Sequence, residues 1–275
     1  MVRAVPAFPL DVSETGYSYL ERPNVVLTSL LDKHVLKSKP EARVLDIGCG
    51  CGANASEIRR LAPRAHLVGI EPSAPAAKIA RGQGFDEVHE TYALDWLHAS
   101  NAAPFDAVVL SDVLEHIADP VAMLRELSRA EALRDATWVI SVPNYAVWYN
   151  RVRTLLGRFS YQWSGLFDRT HLRFFTRRSV HELFEYLGFT VIEDRATPAL
   201  AQSAAPLLRS MFESDLAEGN HLALEDSRSY RLYSKAVQPL EIKVCQLWPE
   251  LLGFQIVSVV RLKSLAKPEP DASKK

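Results

Sequence analysis

The chain has 275 residues, 48% of them hydrophobic, and its 32 basic and 33 acidic residues give a net charge of −1. This size supports one large core, or one core with an added lid, and the charge argues against a surface that binds nucleic acid throughout. The sequence has no apolar run of bilayer-spanning length, residues 1–10 lack the apolar stretch of a secretory signal, and the three cysteines do not form a disulfide framework. We therefore expect a cytoplasmic enzyme with no membrane insertion.

The first half of the chain alternates between short apolar strands and amphipathic helices. A first helix is predicted over residues 24–37, with Asn24 as its N-cap, because apolar residues recur there at helical spacing. Strand–helix pairs are then predicted over 43–47 and 53–61, 66–71 and 72–81, and 105–110 and 120–133, followed by a strand over 137–142. Such alternation predicts an α/β fold with a parallel sheet covered by helices on both faces.

The second half is less regular. Residues 144–176 are rich in aromatic side chains and arginine and show no clear period, so we expect a substrate-binding insertion there. A helix is predicted over 179–187, where Ser179 and Glu182 match a capping box and Gly188 follows the end of the pattern.

Two more strands are predicted, over residues 189–194 and 255–262. The long stretch between them predicts a second insertion, a helical lid at about 198–250. The predicted organisation is an N-terminal flap and helix over 1–40, a catalytic domain over 41–265, and a disordered tail over 266–275.

Gly48, Gly50 and Gly52 lie between the first predicted strand and the helix after it. Glycine lets the backbone take unusual φ angles and approach a ligand closely, and the helix N-terminus offers free N–H groups. By itself this pattern also fits a tight turn or a dinucleotide site. Glu71 ends the second strand, where a carboxylate can accept hydrogen bonds from both hydroxyls of a ribose. A solvated strand end is the alternative for Glu71.

Several sequence segments together resemble the motifs of class I S-adenosylmethionine-dependent methyltransferases, in particular those of a bacterial subgroup associated with small molecules and glycans. The similarity covers about residues 24–194 and the last strand, while the loop at 132–137 departs from the family's usual pattern. The matching phrases are, in chain order, 44–52 (VLDIGCGCG), 69–73 (GIEPS), 105–109 (FDAVV), 111–116 (SDVLEH) and 139–144 (VISVPN).

This resemblance implies a Rossmann-like, doubly wound sheet of seven strands, mostly parallel with an antiparallel last strand. It also implies that S-adenosyl-L-methionine binds at the carboxyl ends of the strands. The cofactor-binding residues implied are Asp46, Gly48, Cys49, Gly50 and Ser111 for the methionine part, Glu71 and Pro72 for the ribose, and Asp95 and Trp96 for the adenine. For Asp95, an ordinary surface acid is the alternative.

Methyl transfer from a sulfonium is an in-line displacement, so the protein mainly aligns the nucleophile with the methyl group and excludes water. An alcohol acceptor also has to lose a proton, either to a base or at a metal. The predicted catalytic residues are His116, just past the fourth strand, and His171, in the phrase DRTHLRFFT at 168–176. For His171, a general base or substrate-orienting role competes with a structural role in holding the loop.

A metal site is the alternative to a metal-free mechanism. Asp112, Glu115 and His116 are spaced so that one helical turn places them on one face, and His171 could join them around a divalent ion. The set is similar to the metal ligands of small-RNA 3′-terminal 2′-O-methyltransferases, and a related trio occurs in ubiquinone-pathway O-methyltransferases. The motif at 114–120 (LEHIADP) is also common in relatives that use no metal. The first prediction is therefore a metal-free mechanism.

Residues 151–178 contain seven arginines and one acid, a charge of +6 that leaves −7 for the rest of the chain. A basic substrate side predicts an anionic small-molecule acceptor in preference to nucleic acid, although these arginines could also pair with acids elsewhere. The residues predicted to contact substrate are Tyr17, Tyr19, Asn144 and Arg173.

We therefore expect O-methylation of a sugar-, lipid- or natural-product-type acceptor. Three alternatives stay open at this stage. The first is an RNA 3′-end 2′-O-methyltransferase, with the aromatic residues of 144–176 stacking on bases. The others are a cyclase or lyase acting on S-adenosylmethionine itself, and a non-catalytic binding protein on the same fold.

Overall fold

A computed structural model describes residues 23–100, 102–161, 165–198 and 238–263. The strands are β1 Arg43–Ile47, β2 His66–Ile70, β3 Glu87–His89, β4 Ala107–Ser111, β5 Thr137–Pro143, β6 Phe189–Pro198 and β7 Gly253–Leu262. They form one seven-stranded sheet in the order β3-β2-β1-β4-β5-β7-β6. Strands β1 to β5 pair in parallel, whereas β7 runs antiparallel to both of its neighbours. The predicted Rossmann-like sheet with an antiparallel last strand is confirmed.

The helices are α1 Val25–Leu31, α2 Ala53–Leu61, α3 Ala74–Ala80, α4 Ala93–Ala99, α5 Pro120–Arg129, α6 Trp148–Leu155, α7 Arg177–Tyr186, α8 Gln238–Leu247 and α9 Pro249–Leu252. The predicted cap of the first helix is present, because the Asn24 side chain accepts a hydrogen bond from the Leu27 N–H at 3.1 Å. In the described ranges, no helix combines the length and the apolar character needed to cross a bilayer.

The sheet is buried on both faces by two apolar clusters. Successive side chains of a strand point to opposite faces, so Leu45 and Ile47 of β1 join one cluster and Val44 joins the other. The first cluster packs the sheet against α4, α5 and α7, and the second packs it against α1 and α2. This burial fixes the strand register, and with it the edge at which the parallel strands end.

The structure ends α1 and α5 earlier than predicted, at Leu31 and Arg129, and it moves the start of α7 to Arg177. The N-cap of α7 is Thr176, whose side chain accepts from the Ser179 N–H while the Ser179 hydroxyl accepts from the Thr176 N–H. The predicted box of Ser179 with Glu182 is therefore wrong, because a second hydroxyl three residues earlier satisfies the helix start first. The N-terminal flap, most of the second insertion and the tail lie outside the described residues.

Candidate active site

The loop between β1 and α2 has the conformation that its glycines allow. Gly48, Gly50 and Gly52 have φ angles of +69°, +55° and +86°. A Cβ on Gly48 would lie 2.7 Å from Cγ2 of Val113, and one on Gly52 would lie 2.8 Å from Cβ of Gln83. The loop thus needs glycine both for its backbone angles and for its close packing.

Cys49 contributes to this loop through its backbone. Its N–H and that of Gly48 donate to the Ile70 carbonyl, at 3.1 and 2.8 Å, which ties the loop to the end of β2. Its thiol packs over Gly69, where a Cβ would lie 2.8 Å from the sulfur. Burial raises the pKa of this thiol, so Cys49 has a packing role and only its backbone is available to a ligand.

Two buried carboxylates stand at the ends of β1 and β2. Glu71 accepts from the Gly50 N–H and from the Ser73 N–H, each at 2.9 Å, while the adjoining Pro72 is exposed. Asp46 is only 1% exposed, and neither of its oxygens has a hydrogen-bond partner within the described ranges. Burial, followed by the charge of Glu71, raises the pKa of Asp46 to about 8.

An unpartnered buried carboxylate carries a large desolvation cost. A ligand with an amine or several hydroxyl donors would remove that cost at Asp46, and the ribose hydroxyls of the predicted cofactor could bond to Glu71. The pair therefore fits S-adenosyl-L-methionine, which carries both kinds of donor.

Asp95 and Trp96, both predicted to bind the adenine, differ in their exposure. Asp95 lies exposed in the first turn of α4, so its carboxylate is open to a ligand and adenine binding there stays a prediction. Trp96 is buried in the core, where its ring packs against Phe105 and His89 with centroid distances of 6.1 and 6.0 Å. Trp96 therefore supports this end of the site by packing.

The end of β4 is strained. The strand ends at Ser111, and Asp112 is the one non-glycine residue with a positive φ, +55°, in the described part of the chain. The Asp112 N–H is held by the carbonyl and the hydroxyl of Ser141, at 3.2 and 3.1 Å, and its carboxylate accepts from the side chain of Gln255. Backbone strain of this kind is typical of functional sites.

The helical turn Leu114–His116 follows, and backbone hydrogen bonds join it to the segment before α7. The Glu115 carbonyl accepts from the Leu172 N–H at 2.7 Å and from the Arg173 N–H at 3.0 Å. These bonds bring the loop that contains His171 to the carboxyl end of β4, as the two predicted catalytic residues require.

His116 and His171 are in contact, with ring centroids 4.8 Å apart and an interplanar angle of 73°. Nδ1 of His171 lies 3.0 Å from the Leu166 carbonyl, so Nδ1 carries the hydrogen and Nε2 keeps its lone pair. Nδ1 of His116 lies 3.1 Å from the Thr170 hydroxyl. Burial, with His171 as the next cause, lowers the pKa of His116 to about 4, and burial also lowers the pKa of His171. Both imidazoles are therefore neutral at pH 7.

Glu115 adds a third polar group beside the histidines. It is 1% exposed, and neither carboxylate oxygen has a hydrogen-bond partner among the residues described. Burial, followed by the charge of Asp112, raises its pKa well above the ordinary value. One ligand atom each from Glu115, His116 and His171 lie within 4.8 Å of one another. Asp112 is not in this group, so three of the four residues of the alternative metal set come together.

Asn144, predicted to contact substrate, has a structural role instead. Its side chain is 0% exposed, and its amide donates to the carbonyls of Pro249, Glu250 and Gly253 at 3.4, 2.9 and 2.8 Å. The amide thus joins the end of β5 to α9 and the start of β7, because a buried amide satisfies its hydrogen bonds inside the protein.

The other predicted substrate contacts differ in their placement. Arg173 is exposed two residues after His171, and its guanidinium donates to the carbonyl of Ala118, two residues after His116. Tyr17 and Tyr19 lie outside the described residues.

Several solved structures with the same fold are methyltransferases, and one is a cyclopropane synthase. A SAM-dependent methyltransferase from Archaeoglobus fulgidus matches with a TM-score of 0.51 and 19% identity, covering 87% of this chain and 94% of that one. The plantazolicin methyltransferase BpumL matches with a TM-score of 0.52 and 14% identity, covering 87% and 83%. The cyclopropane synthase MmaA2 from Mycobacterium tuberculosis matches with 0.51 and 18%, covering 86% and 82%. These likenesses show the class I methyltransferase fold.

The chain belongs to a family of methyltransferase domains, whose model matches residues 19–194. The resemblance seen in the motifs is confirmed, and S-adenosyl-L-methionine is the cofactor of this family. A ubiquinone biosynthesis O-methyltransferase from Xylella fastidiosa (strain 9a5c) is 36% identical over 87 residues, 30% of this chain and 35% of that enzyme. One from Hahella chejuensis is 26% identical over 190 residues, 65% of this chain and 78% of that enzyme. The alignment with the Xylella enzyme thus spans about a third of that relative's length.

Proposed function

We propose that this chain transfers the methyl group of S-adenosyl-L-methionine to a hydroxyl oxygen of a small, anionic acceptor of sugar, lipid or natural-product type. The observation that carries the proposal is the pair His116 and His171, two neutral imidazoles held together at the carboxyl end of β4. Ligands of open α/β sheets bind at this edge, so an acceptor beside the pair would lie next to the cofactor.

Different residues of the chain would bind the cofactor and accept the proton. Asp46 would receive the methionine amine, Glu71 the ribose hydroxyls, and the glycine loop would let the backbone approach the cofactor closely. His171 would accept the acceptor's hydroxyl proton at Nε2, because its Nδ1 is held by the Leu166 carbonyl. S-adenosyl-L-methionine, when bound, would supply an activated methyl group to the acceptor oxygen and would leave as S-adenosylhomocysteine, with the electron pair of the broken C–S bond on sulfur.

The charge of the substrate side supports an anionic acceptor. Arg177 pairs with Asp194, and Arg178 pairs with Glu182 at 2.8 Å, so part of the predicted positive charge is neutralised within the fold. Arg173, whose guanidinium donates to the Leu172 and Ala118 carbonyls, forms no ion pair with the residues described, so its charge is available to an anionic ligand. The names of the curated relatives, which are O-methyltransferases, support an oxygen acceptor.

The aromatic residues argue against an RNA acceptor. Phe167, Phe174 and Tyr145 pack against one another, with ring centroids 5.5–6.2 Å apart. Rings that pack edge-on within their own cluster offer less free face for base stacking. These contacts therefore favour a small-molecule acceptor over an RNA acceptor.

A metal-assisted version of the same reaction is the second candidate, and the unpartnered carboxylate of Glu115 favours it. Two imidazole nitrogens and one carboxylate oxygen suit zinc or another late divalent ion. Such an ion would supply Lewis acidity that lowers the pKa of an acceptor hydroxyl. Metal analysis of the purified protein, followed by exhaustive chelation, decides between the two: activity that survives chelation excludes the metal.

The activity test uses cofactor carrying a labelled methyl group. The protein is incubated with panels of hydroxylated sugar, lipid and phenolic acids, with neutral analogues as matched controls, and with RNA oligonucleotides. We expect label to enter an anionic small molecule and S-adenosylhomocysteine to accumulate in equal amount. Methylthioadenosine as the product would instead assign a cyclase or lyase, and labelled RNA would assign the RNA-end activity.

A further inference from the structure

The helix α6 and the loop after it expose an unusual number of large apolar side chains. Leu155 is 86% exposed and Leu156 62%, and four further residues within the same fourteen are also exposed. Those four are Trp148, Val152, Phe159 and Tyr161. We call this set, together with the arginines between its members, the 148–161 surface. A clustered apolar surface of this kind marks a site of interaction, whereas single exposed apolar residues are ordinary.

The apolar side chains share one direction on the helix. Trp148, Val152 and Leu155 follow one another at intervals of four and three, so they form one stripe along α6. The buried part of the same segment is formed by Val147 and Asn150, both fully enclosed. The helix is therefore held by its inner face, and its apolar stripe is directed away from the core.

The same surface is positively charged. Residues 144–167 contain no acid, while Arg151, Arg153 and Arg158 lie among the exposed apolar residues. The guanidinium of Arg153 stacks 4.7 Å from the centroid of the Phe167 ring, which fixes one charge at the base of the surface. Neither Arg151 nor Arg158 forms an ion pair with any residue in the described ranges, so both charges are available to a partner.

We infer that the 148–161 surface binds the headgroup region of an anionic phospholipid bilayer. Arginine, tryptophan and aliphatic side chains on one exposed helix face form the pattern of an interfacial helix, in which the apolar stripe enters the acyl boundary and the cations contact acidic headgroups. The inference goes beyond the proposed reaction, because surface binding requires neither cofactor nor acceptor. It would place the enzyme where amphipathic acceptors collect.

A second copy of this chain is a poorer fit for the same surface. A two-fold interface brings the same patch of both subunits together, so Arg151 and Arg158 would meet like charges without an acid to neutralise them. An RNA partner would neutralise the arginines but would gain little from the aliphatic Leu155 and Leu156. An anionic bilayer satisfies both the charge and the apolar stripe.

The test uses the whole chain and sedimentation with vesicles of phosphatidylcholine, with and without phosphatidylglycerol. We expect binding only to the anionic vesicles, and weaker binding at high salt. Since one arginine at an anionic surface contributes about five-fold to partitioning, the charge reversal R151E/R158E should weaken binding by about 25-fold or more. The pair L155E/L156E should weaken it by at least about ten-fold, because two apolar side chains would no longer enter the bilayer.

The control is Ile79→Glu on α3, which introduces one glutamate, half the charge added by L155E/L156E, at an exposed apolar residue outside the 148–161 surface. This variant should bind anionic vesicles like the parent, and circular dichroism should show unchanged folding for all three variants. Failure of the parent to bind, equal binding to neutral vesicles, or full binding by L155E/L156E would each overturn the inference. A dimer in light scattering that L155E/L156E abolishes, without vesicle binding, would assign the surface to a second copy instead.

Discussion

The ring of His171 meets the ring of His116 edge-on, and the carbonyl of Glu115 holds the two segments together through the backbone of Leu172 and Arg173. His116 ends the helical turn Leu114–His116, and His171 lies in the loop before α7. The backbone contact between this turn and this loop assembles the candidate catalytic pair.

The first prediction concerns His171. His171→Ala should lower kcat by about 100-fold or more, because the acceptor's proton would lose its base. The dissociation constant for S-adenosylhomocysteine, measured by calorimetry, should change little, since the cofactor is predicted to bind through β1 and β2. His98→Ala on the exposed side of α4 is the control. An unchanged kcat would show that His171 only holds its loop.

The pH dependence of the reaction tests the same pair. A base must be neutral to accept a proton, and burial lowers the pKa of His171 and lowers that of His116 to about 4. The apparent pKa of the acidic limb of the kcat/KM profile should therefore lie below the ordinary histidine pKa of 6.5, and activity should persist at about pH 6. An apparent pKa above 6.5 for this limb would contradict the prediction that the base is a buried, neutral histidine.

The stability of the ligand-free protein should depend on Asp46. In the unfolded chain this carboxyl ionises near its ordinary pKa of 3.8, whereas in the fold its pKa is about 8. Between these values the unfolded state releases a proton that the folded state keeps, so stability falls as pH rises through this range.

Asp46→Asn should therefore be more stable than the parent at about pH 8 and closest to it at about pH 4, as followed by urea unfolding. It should also bind S-adenosylhomocysteine about ten-fold more weakly, because a charged amine would lose its carboxylate partner. Equal stability of the two proteins at both pH values would show that Asp46 is ionised and paired in the fold.

The glycine loop gives a stability prediction with an internal control. Gly48→Ala places a Cβ at 2.7 Å from Val113 in a backbone with φ of +69°, while Gly188→Ala has a similar φ of +82° and no atom within 4 Å. Both variants should lose about 1 kcal/mol to backbone strain. Gly48→Ala should lose roughly a further 1–3 kcal/mol through the overpacked contact, together with cofactor affinity. Equal losses in thermal unfolding would mean that Val113 moves aside freely.

Asn144→Ala should affect stability before it affects the reaction. The variant removes the amide that satisfies three carbonyls in a buried position, at a cost of about 2 kcal/mol. Urea unfolding measures the loss, and KM for the acceptor should stay within about two-fold once the protein is folded. A raised KM with unchanged stability would restore the substrate role that the sequence predicts.

The sequence predicts most of the sheet, because its strands are short apolar runs with turn residues at their ends. β1 and α2 have their predicted bounds, and the loop between them holds the expected glycines. The short elements β3, α4 and α6 were not predicted. β3 has three residues at the sheet edge and no apolar alternation, and the seven residues of α4 are too few for a clear period.

The candidate site was predictable in part. Motif spacing predicted His116, His171 and Glu71 as site residues, but it could not show that Gln255 from β7 holds the carboxylate of Asp112. It also misassigned Asn144, because an amide after a strand looks the same in sequence whether it is open to solvent or bonded to carbonyls about a hundred residues later. A hydrogen bond between residues so far apart in the sequence leaves no pattern in the residues around either partner.

The hydrogen bonds to the Glu115 carbonyl come from backbone N–H groups, not from side chains. The two positions that supply them, Leu172 and Arg173, are both exposed. Any residue except proline could occupy either position and still hold His171 in place. The side chains at these two exposed positions can therefore change in size, charge and polarity while the same backbone bonds hold His171 beside His116.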